Sequence, residues 1–493
     1  MATKNTIFNI VKSLSMNEKR YFKIYCKQHV VNGQNKYVLL FDLIDNQSIF
    51  DDELIKKELN KLNYSINNFS SDINYLSKIL LKCLNDFHSE KTSDLKIKQN
   101  LITIEILFYK GLYEECLQLI SKTKRIKLAN ENKNLLSDLL NWEKKCVGYS
   151  RGLLGAIEVN NKLDVYFDDL KEKKELTDLY YKSYYYKNII GKISQVELVS
   201  EFNNAVIIPF EKQKFSLTTL QSNIFYNLIY ANFYKIKNDK ENELVFLKKV
   251  TTIYEENEEY KFENPLDFIS IYIRIIDICK KKESEVFYSD LVRLKAFTSI
   301  TSLQSKVAEE RIFLHTNQLE LEHLLYINKT KEAFVILEVL KRALLDKRYT
   351  LEPYYIISTY YLFTAAYVLT NNFSLALKYV NKILNEHSFN QNPKEFIQAE
   401  FLNIIIHYEL KNYTLVQKFI ANLQKKYRPN FKFSYFEIEI LKAITKISKN
   451  KHIVNEKAVF TKLKNDIYKK YDASQLVYNN YFKIYFKLIF KFF

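Results

Sequence analysis

A phrase recurs along this chain at intervals of 40 to 47 residues, and it constrains the fold more than any other feature. It reads KGLYEECLQLI at 110–120, SRGLLGAIEV at 150–159, GKISQVELV at 191–199, NDKENELVFL at 238–247 and KKESEVFYSDL at 281–291. Four further copies are KTKEAFVILEVL at 329–340, NNFSLALKYV at 371–380, KNYTLVQKFI at 411–420 and VNEKAVFTKL at 454–463. In each, an apolar helix gives way to a short polar turn, and a second helix opens. The anchors after the turn are Tyr113, Leu153, Ile193, Lys240, Glu283, Thr330, Phe373, Tyr413 and Asn455. Three residues on stand Cys116, Ala156, Val196, Glu243, Val286, Ala333, Ala376, Val416 and Ala458, where a modest side chain lets two antiparallel helices approach. Glu243 departs from this pattern. Self-similarity at such a period is the signature of stacked supersecondary units.

Punctuation agrees with this reading. The chain has 6 glycines and 5 prolines against 38 tyrosines and 35 phenylalanines, which leaves little material for hairpins or phosphate loops. AT-rich codons produce the same bias, so position says more than number. Gly111 and Gly191 each precede an anchor by two residues and Gly152 precedes one directly, where glycine suits a left-handed helix C-cap.

A turn followed by an aromatic or small pair, as in NNFSLAL, KTKEAFV and KGLYEECL, resembles the tetratricopeptide-repeat-like (TPR-like) superfamily over about 105–470. Tetratricopeptide units run 34 residues, so the longer period departs from the family's pattern. The resemblance implies an all-α fold, a right-handed α-solenoid of about nine antiparallel helical hairpins with a helical N-terminal cap domain. It implies a protein- or peptide-binding scaffold and no reaction. The boundaries expected are 1–100 for the N-terminal domain, 101–471 for the repeats and 472–493 for a closing helix.

A hydrophobic content of 47% over 493 residues suffices for a large core. Cys26, Cys83, Cys116, Cys146 and Cys279 form no CxxC pair, which suits a reducing compartment, and the N-terminus lacks the long apolar run of a secretory signal. Cytoplasmic residence is the expectation. The uncharged stretch 354–370 is 17 residues long and rich in hydroxyls, so it reads as a buried helix and not a transmembrane span. Net charge is +17, of which residues 401–493 supply 18 basic against 6 acidic residues, or +12. The excess is lysine, 65 against 9 arginines, which suits a solvated face better than base-edge or phosphate recognition.

The N-terminal hundred residues lack the repeat phrase. Ser15 and Glu18 form a capping box opening a helix near 16–29, and YVLLFDLI, DDELIKKELNKL and SSDINYLSKILLKCLNDF predict three more. LSMNEKRYFKIY and the succession after it also resemble the N-termini of bacterial helical-repeat proteins, a likeness that carries no activity. Helix 70–87 offers Lys78 and Lys82 against Asp72 and Asp86, a poor phosphate footprint, so a capping or docking role is expected over DNA binding. At the other end Lys483, Lys487 and Lys491 recur every fourth residue among aromatics. They mark a closing helix with two further readings, contact with an anionic membrane surface or with a partner.

No cofactor or metal motif stands out, and the chain is expected to be no enzyme. GYSRGLLG at 148–155 lacks the order of a phosphate loop and reads as close helix packing. Glu320 with His323 is the one near match to helical metal-ligand spacing. The tyrosine-rich LYYKSYYYKN at 179–188 presents Tyr180 and Tyr184 on one face. With Asn227, Tyr230, Tyr360, Asn403 and His407 on later first helices, they are the candidate lining of a partner-binding groove. The sequence thus points to a protein or peptide partner. Its alternative is a regulator that contacts nucleic acid through the N-terminal domain or the basic C-terminal region.

Overall fold

In a computed structural model the chain is described over residues 4–28, 35–62, 64–127, 131–188, 195–279, 284–297, 306–345, 353–385, 393–427, 435–449 and 455–470. Every regular element among them is helical. The closing segment 472–493, with Lys483, Lys487 and Lys491, lies outside the described residues, as do Gly191, Ile193 and Glu283.

Five helices form the N-terminal unit: α1 (Lys4–Ser13), α2 (Met16–Gln28), α3 (Lys36–Asn46), α4 (Asp52–Lys61) and α5 (Phe69–His88). The expected capping box is present. Glu18 accepts from the Ser15 backbone N–H at 2.6 Å, and Ser15 Oγ accepts from the Glu18 N–H at 3.3 Å. The early apolar run is a helix that the sequence reading left unassigned. Its Ile7 and Val11 are wholly buried with Phe22, Phe41, Ile55 and Leu76. Asp72 is occupied by Lys36, and Lys82 lies over the Tyr25 ring.

The array follows as α6 (Ser93–Tyr109), α7 (Tyr113–Lys124), α8 (Lys133–Arg151) and the 36-residue α9 (Leu153–Asn188). Next come α10 (Gln195–Phe202), a π-turn at Asn203–Ile207 and α11 (Ile208–Lys212). Then follow α12 (Leu220–Ile236), α13 (Lys240–Glu256), α14 (Glu258–Glu263), α15 (Pro265–Cys279) and α16 (Ser284–Ala296). The remaining helices are α17 (Lys306–Tyr326), α18 (Thr330–Leu345), α19 (Pro353–Leu369), α20 (Phe373–Asn385), α21 (Pro393–Glu409), α22 (Tyr413–Tyr427), α23 (Tyr435–Lys449) and α24 (Glu456–Lys470). Most of them pack on their neighbours in sequence, a repeat-like order.

Six of the anchors open helices: Tyr113, Leu153, Lys240, Thr330, Phe373 and Tyr413. Five of those helices follow one turn. The residue two before the anchor is left-handed in each: Gly111 (φ 76°), Asn238 (60°), Asn328 (61°), Asn371 (59°) and Lys411 (61°). The next N–H reaches back to the carbonyl five residues earlier, at 3.1 Å for Leu112 to Leu107 and 2.9 Å for Asn372 to Tyr367. This is the Schellman closure, and asparagine tolerates it because its short polar side chain bonds locally. Gly152, between α8 and α9, also has positive φ, at 87°.

The small position is buried at Cys116, Ala333, Ala376 and Val416, and further buried residues follow four and seven on, as in Val416, Ile420 and Leu423. Glu243 occupies this position too and is buried, because Arg274 of α15 bonds it at 2.7 Å. Three units correct the expected register. Val196, Val286 and Ala458 are exposed, and Phe287 of α16 and Phe460 of α24 are the buried residues there, since a large ring fills the gap that a small residue closes elsewhere. Between α8 and α9, a Cβ on Gly155 would stand 2.6 Å from Val147 Cγ1, so glycine is what this close crossing requires.

Candidate partner-binding surface

Helix α6 carries aliphatic residues on its outer face as well as its inner one, with Lys98, Gln99 and Glu105 beside them on the outer face, and its neighbours cover only part of it. Ile97 and Ile104 are buried with Cys116 and Ile120 of α7 and Leu139 of α8. On the opposite face Ile102 and Ile106 remain 54% and 53% exposed. Two clefts flank this face. One, of about 550 Å³, lies against α5 and the α1–α2 junction and is lined by Leu14, Glu18, Leu84, His88, Leu95, Lys98 and Ile102. The other, of about 330 Å³, runs between α6 and α8 past Leu101, Ile102, Glu105, Asp138, Asn141, Trp142 and Lys145. Ile102 lines both, so the two clefts meet at its side chain, between walls of mixed charge.

One wall is pinned by Glu18. One of its oxygens closes the α2 capping box and the other meets His88 Nε2 at 2.6 Å. Burial works to raise the Glu18 pKa, but the Ser15 N–H and His88 together hold it below the ordinary carboxylate value. On the other wall Lys145 Nζ sits 4.2 Å from the Trp142 ring centroid, a cation–π contact.

A second polar concentration lies between α9, α12, α13 and α15. Arg274 spends Nε on Glu243, Nη1 on Asn232 Oδ1 (2.8 Å) and Nη2 on the Ala231 carbonyl (2.9 Å). Asn232 in turn donates to Ser183 Oγ at 2.9 Å. Half-buried Lys187 lies 3.8 Å from the Tyr184 ring centroid. Burial, with the positive charges of Arg274 and Lys235, pushes its amine down to about 7, against the pull of Glu243. The network keys α15 to the preceding hairpin.

The residues expected to line a groove are spread over several hairpins. Tyr180 stacks on Phe225 at 4.3 Å, and Tyr184 is 43% exposed beside it, with 6.4 Å between their rings. Buried Asn227 donates to the Asn223 carbonyl at 2.8 Å, and Tyr230 packs between Phe210 and Phe246. Tyr360 lies against Tyr379 with Lys382 over its ring. Asn403 is buried, and His407 packs on Phe419 beside Asn412. Tyr180 and Tyr184 adjoin each other, while Tyr230, Tyr360 and His407 meet side chains of neighbouring helices. Of the metal-spaced pair, Glu320 bonds Lys295 at 2.9 Å and His323 stacks on Phe287 at 4.3 Å. Among the described residues no group of three His, Cys, Asp or Glu is placed to hold a metal ion. Burial pushes the Cys26 and Cys146 thiols up to about 12.

Sequence reasoning passed over Ile102, Ile106, Lys187 and Arg274. A signal existed for one of them: arginine is rare enough here that Arg274 within a helix implies a fixed partner. No family model, curated protein or solved structure matches the chain.

Proposed function

We propose that this chain is a non-catalytic scaffold that binds a protein or peptide segment in the groove over α6. The observation that carries the reading is the uncovered Ile102–Ile106 stripe, flanked by clefts on both sides. Paired exposed aliphatics on a helix floor, rimmed by polar side chains, match the anatomy of an interface, an apolar centre inside a polar edge. The five repeated turns and the buried small positions support a TPR-like right-handed solenoid of about nine hairpins as the frame.

Ile102→Glu/Ile106→Glu tests it. Proteins cross-linked to the tagged wild type are quantified against the variant, with helicity checked by circular dichroism. Loss of a partner set with helicity intact is the expected result. An unchanged partner set sinks the reading.

A further inference from the structure

At one end of the first two hairpins the chain displays a second apolar surface, distinct from the groove floor. Tyr109 and Leu112 frame the α6–α7 turn, Tyr149 closes α8, and Leu153, Leu154 and Ile157 open α9. Their exposures are 77%, 39%, 70%, 79%, 81% and 55% in that order. Contacts tie these segments into one surface. Tyr149 stacks on Tyr113 at 5.4 Å and meets Phe108 edge-on at 5.5 Å, and Arg151 Nη2 bonds Glu114 at 2.9 Å across α8 and α7. A Cβ at Gly111 or Gly152 would meet nothing within 4 Å, so both turn tips face open space.

We propose that this surface is a self-association site, at which a second copy of the chain docks through the same patch across a two-fold axis. Two observations select that occupant. The first is size: six large apolar side chains at these exposures present on the order of 700 Å². That exceeds the roughly 300–600 Å² of a typical monomer's largest patch. It approaches the ~800 Å² that each partner contributes to a standard interface.

The second is charge. The exposed ionic residues within one turn of the patch are Lys110, Lys145 and Arg151 against Glu105, Glu114, Glu115 and Glu158, close to balance in a chain of net charge +17. An anionic membrane surface or an acidic partner selects a basic rim, and a basic partner selects an acidic one. A surface that meets its own copy across a two-fold axis needs both signs, so that each charge finds its opposite on the partner.

Sedimentation equilibrium of the full chain from low to high micromolar concentration is the test, with Leu153→Glu/Leu154→Glu alongside. The wild type is expected to approach twice 58.9 kDa, and the variant to associate more weakly by on the order of 30-fold or more. Hydrogen exchange on the wild type needs no variant and is expected to slow at 149–157 as concentration rises. A wild type that stays at 58.9 kDa throughout overturns the proposal, as does a folded variant that dimerises unchanged. Protection of 149–157 by phosphatidylserine vesicles but not by concentration would also overturn it, assigning the patch to a lipid surface.

Discussion

Helices α6 and α19 both carry apolar residues on more than one face, but α6 also holds Asp94, Lys96, Lys98 and Glu105 where α19 holds no charge, and the fold treats them differently. In α19, Ile357, Phe363, Ala366, Tyr367 and Val368 are all buried, and Thr359 and Thr364 return their hydroxyls to backbone carbonyls one turn back at 2.7 and 2.8 Å. Hairpins on both sides supply the cover, with α17 and α18 before it and α20 and α21 after. Helix α6 is covered by α7 and α8, and Ile102 and Ile106 stay open. The spread of apolar residues around a helix thus states how many neighbours it can use, and the charges on its outer face together with topology decide how many it receives. Where the supply falls short, the remaining stripe is available to another molecule.

The comparison can be broken most directly by truncating one apolar side chain in each helix. Phe363→Ala in α19 is expected to cost about 3–5 kcal/mol, because a fully buried ring leaves a cavity that its neighbours fill only in part. Ile106→Ala in α6 is expected to cost less than about 1 kcal/mol, since half of the side chain already meets water. Urea unfolding of both variants measures the two. Equal losses would mean that α6 is covered after all, and the groove reading would go with that result.

Much of the fold is legible in the sequence because it is written in local terms. The capping box at Ser15–Glu18, the anchors Tyr113, Lys240, Thr330, Phe373 and Tyr413, and the burial of most of 355–369 all follow from patterns within one turn or one helix. The register errors at Val286 and Ala458 arise where a phenylalanine, Phe287 or Phe460, takes over the contact, so the small residue marks nothing. Glu243 is the opposite case. It reads as a flaw in the repeat, but Arg274 completes it from the next hairpin, 31 residues along. The candidate surface was less legible for the same reason. Ile102 is exposed because of what does not pack on it, and no periodicity within α6 carries that information.

The turns sharpen the comparison at smaller scale, since α6 and α19 end in the same left-handed closure with different residues, Gly111 and Asn371. A non-glycine residue pays roughly 1–2 kcal/mol to enter that region, less where an asparagine side chain bonds locally. Gly111→Ala is therefore expected to destabilise by about 1 kcal/mol. Lys411→Gly, at the equivalent turn after α21, is expected to stabilise by a similar amount. If Lys411→Gly gains nothing while Gly111→Ala loses, a contact of the Lys411 side chain offsets the strain and the turns are not energetically equivalent.

The smallest effect concerns the wall of the α6 groove. Glu18 is held below its ordinary value of 4.5, so the folded state favours the carboxylate. The stability this contributes is fully present above about pH 4.5 and is lost as pH falls through the lower folded value, because the unfolded chain takes up its proton first. Glu18→Gln keeps the shape and an acceptor for the Ser15 N–H but removes the charge facing His88. At pH 7 the wild type is expected to exceed the variant by about 0.5–1 kcal/mol, the scale of a capping contribution. The gap should close once the pH falls well below 4.5. Urea midpoints at several pH values measure it. A gap that stays constant as the pH falls to the acid limit of folding would mean that Glu18 holds the wall through packing, and the α6 groove would then keep its shape under acid conditions that silence the charge.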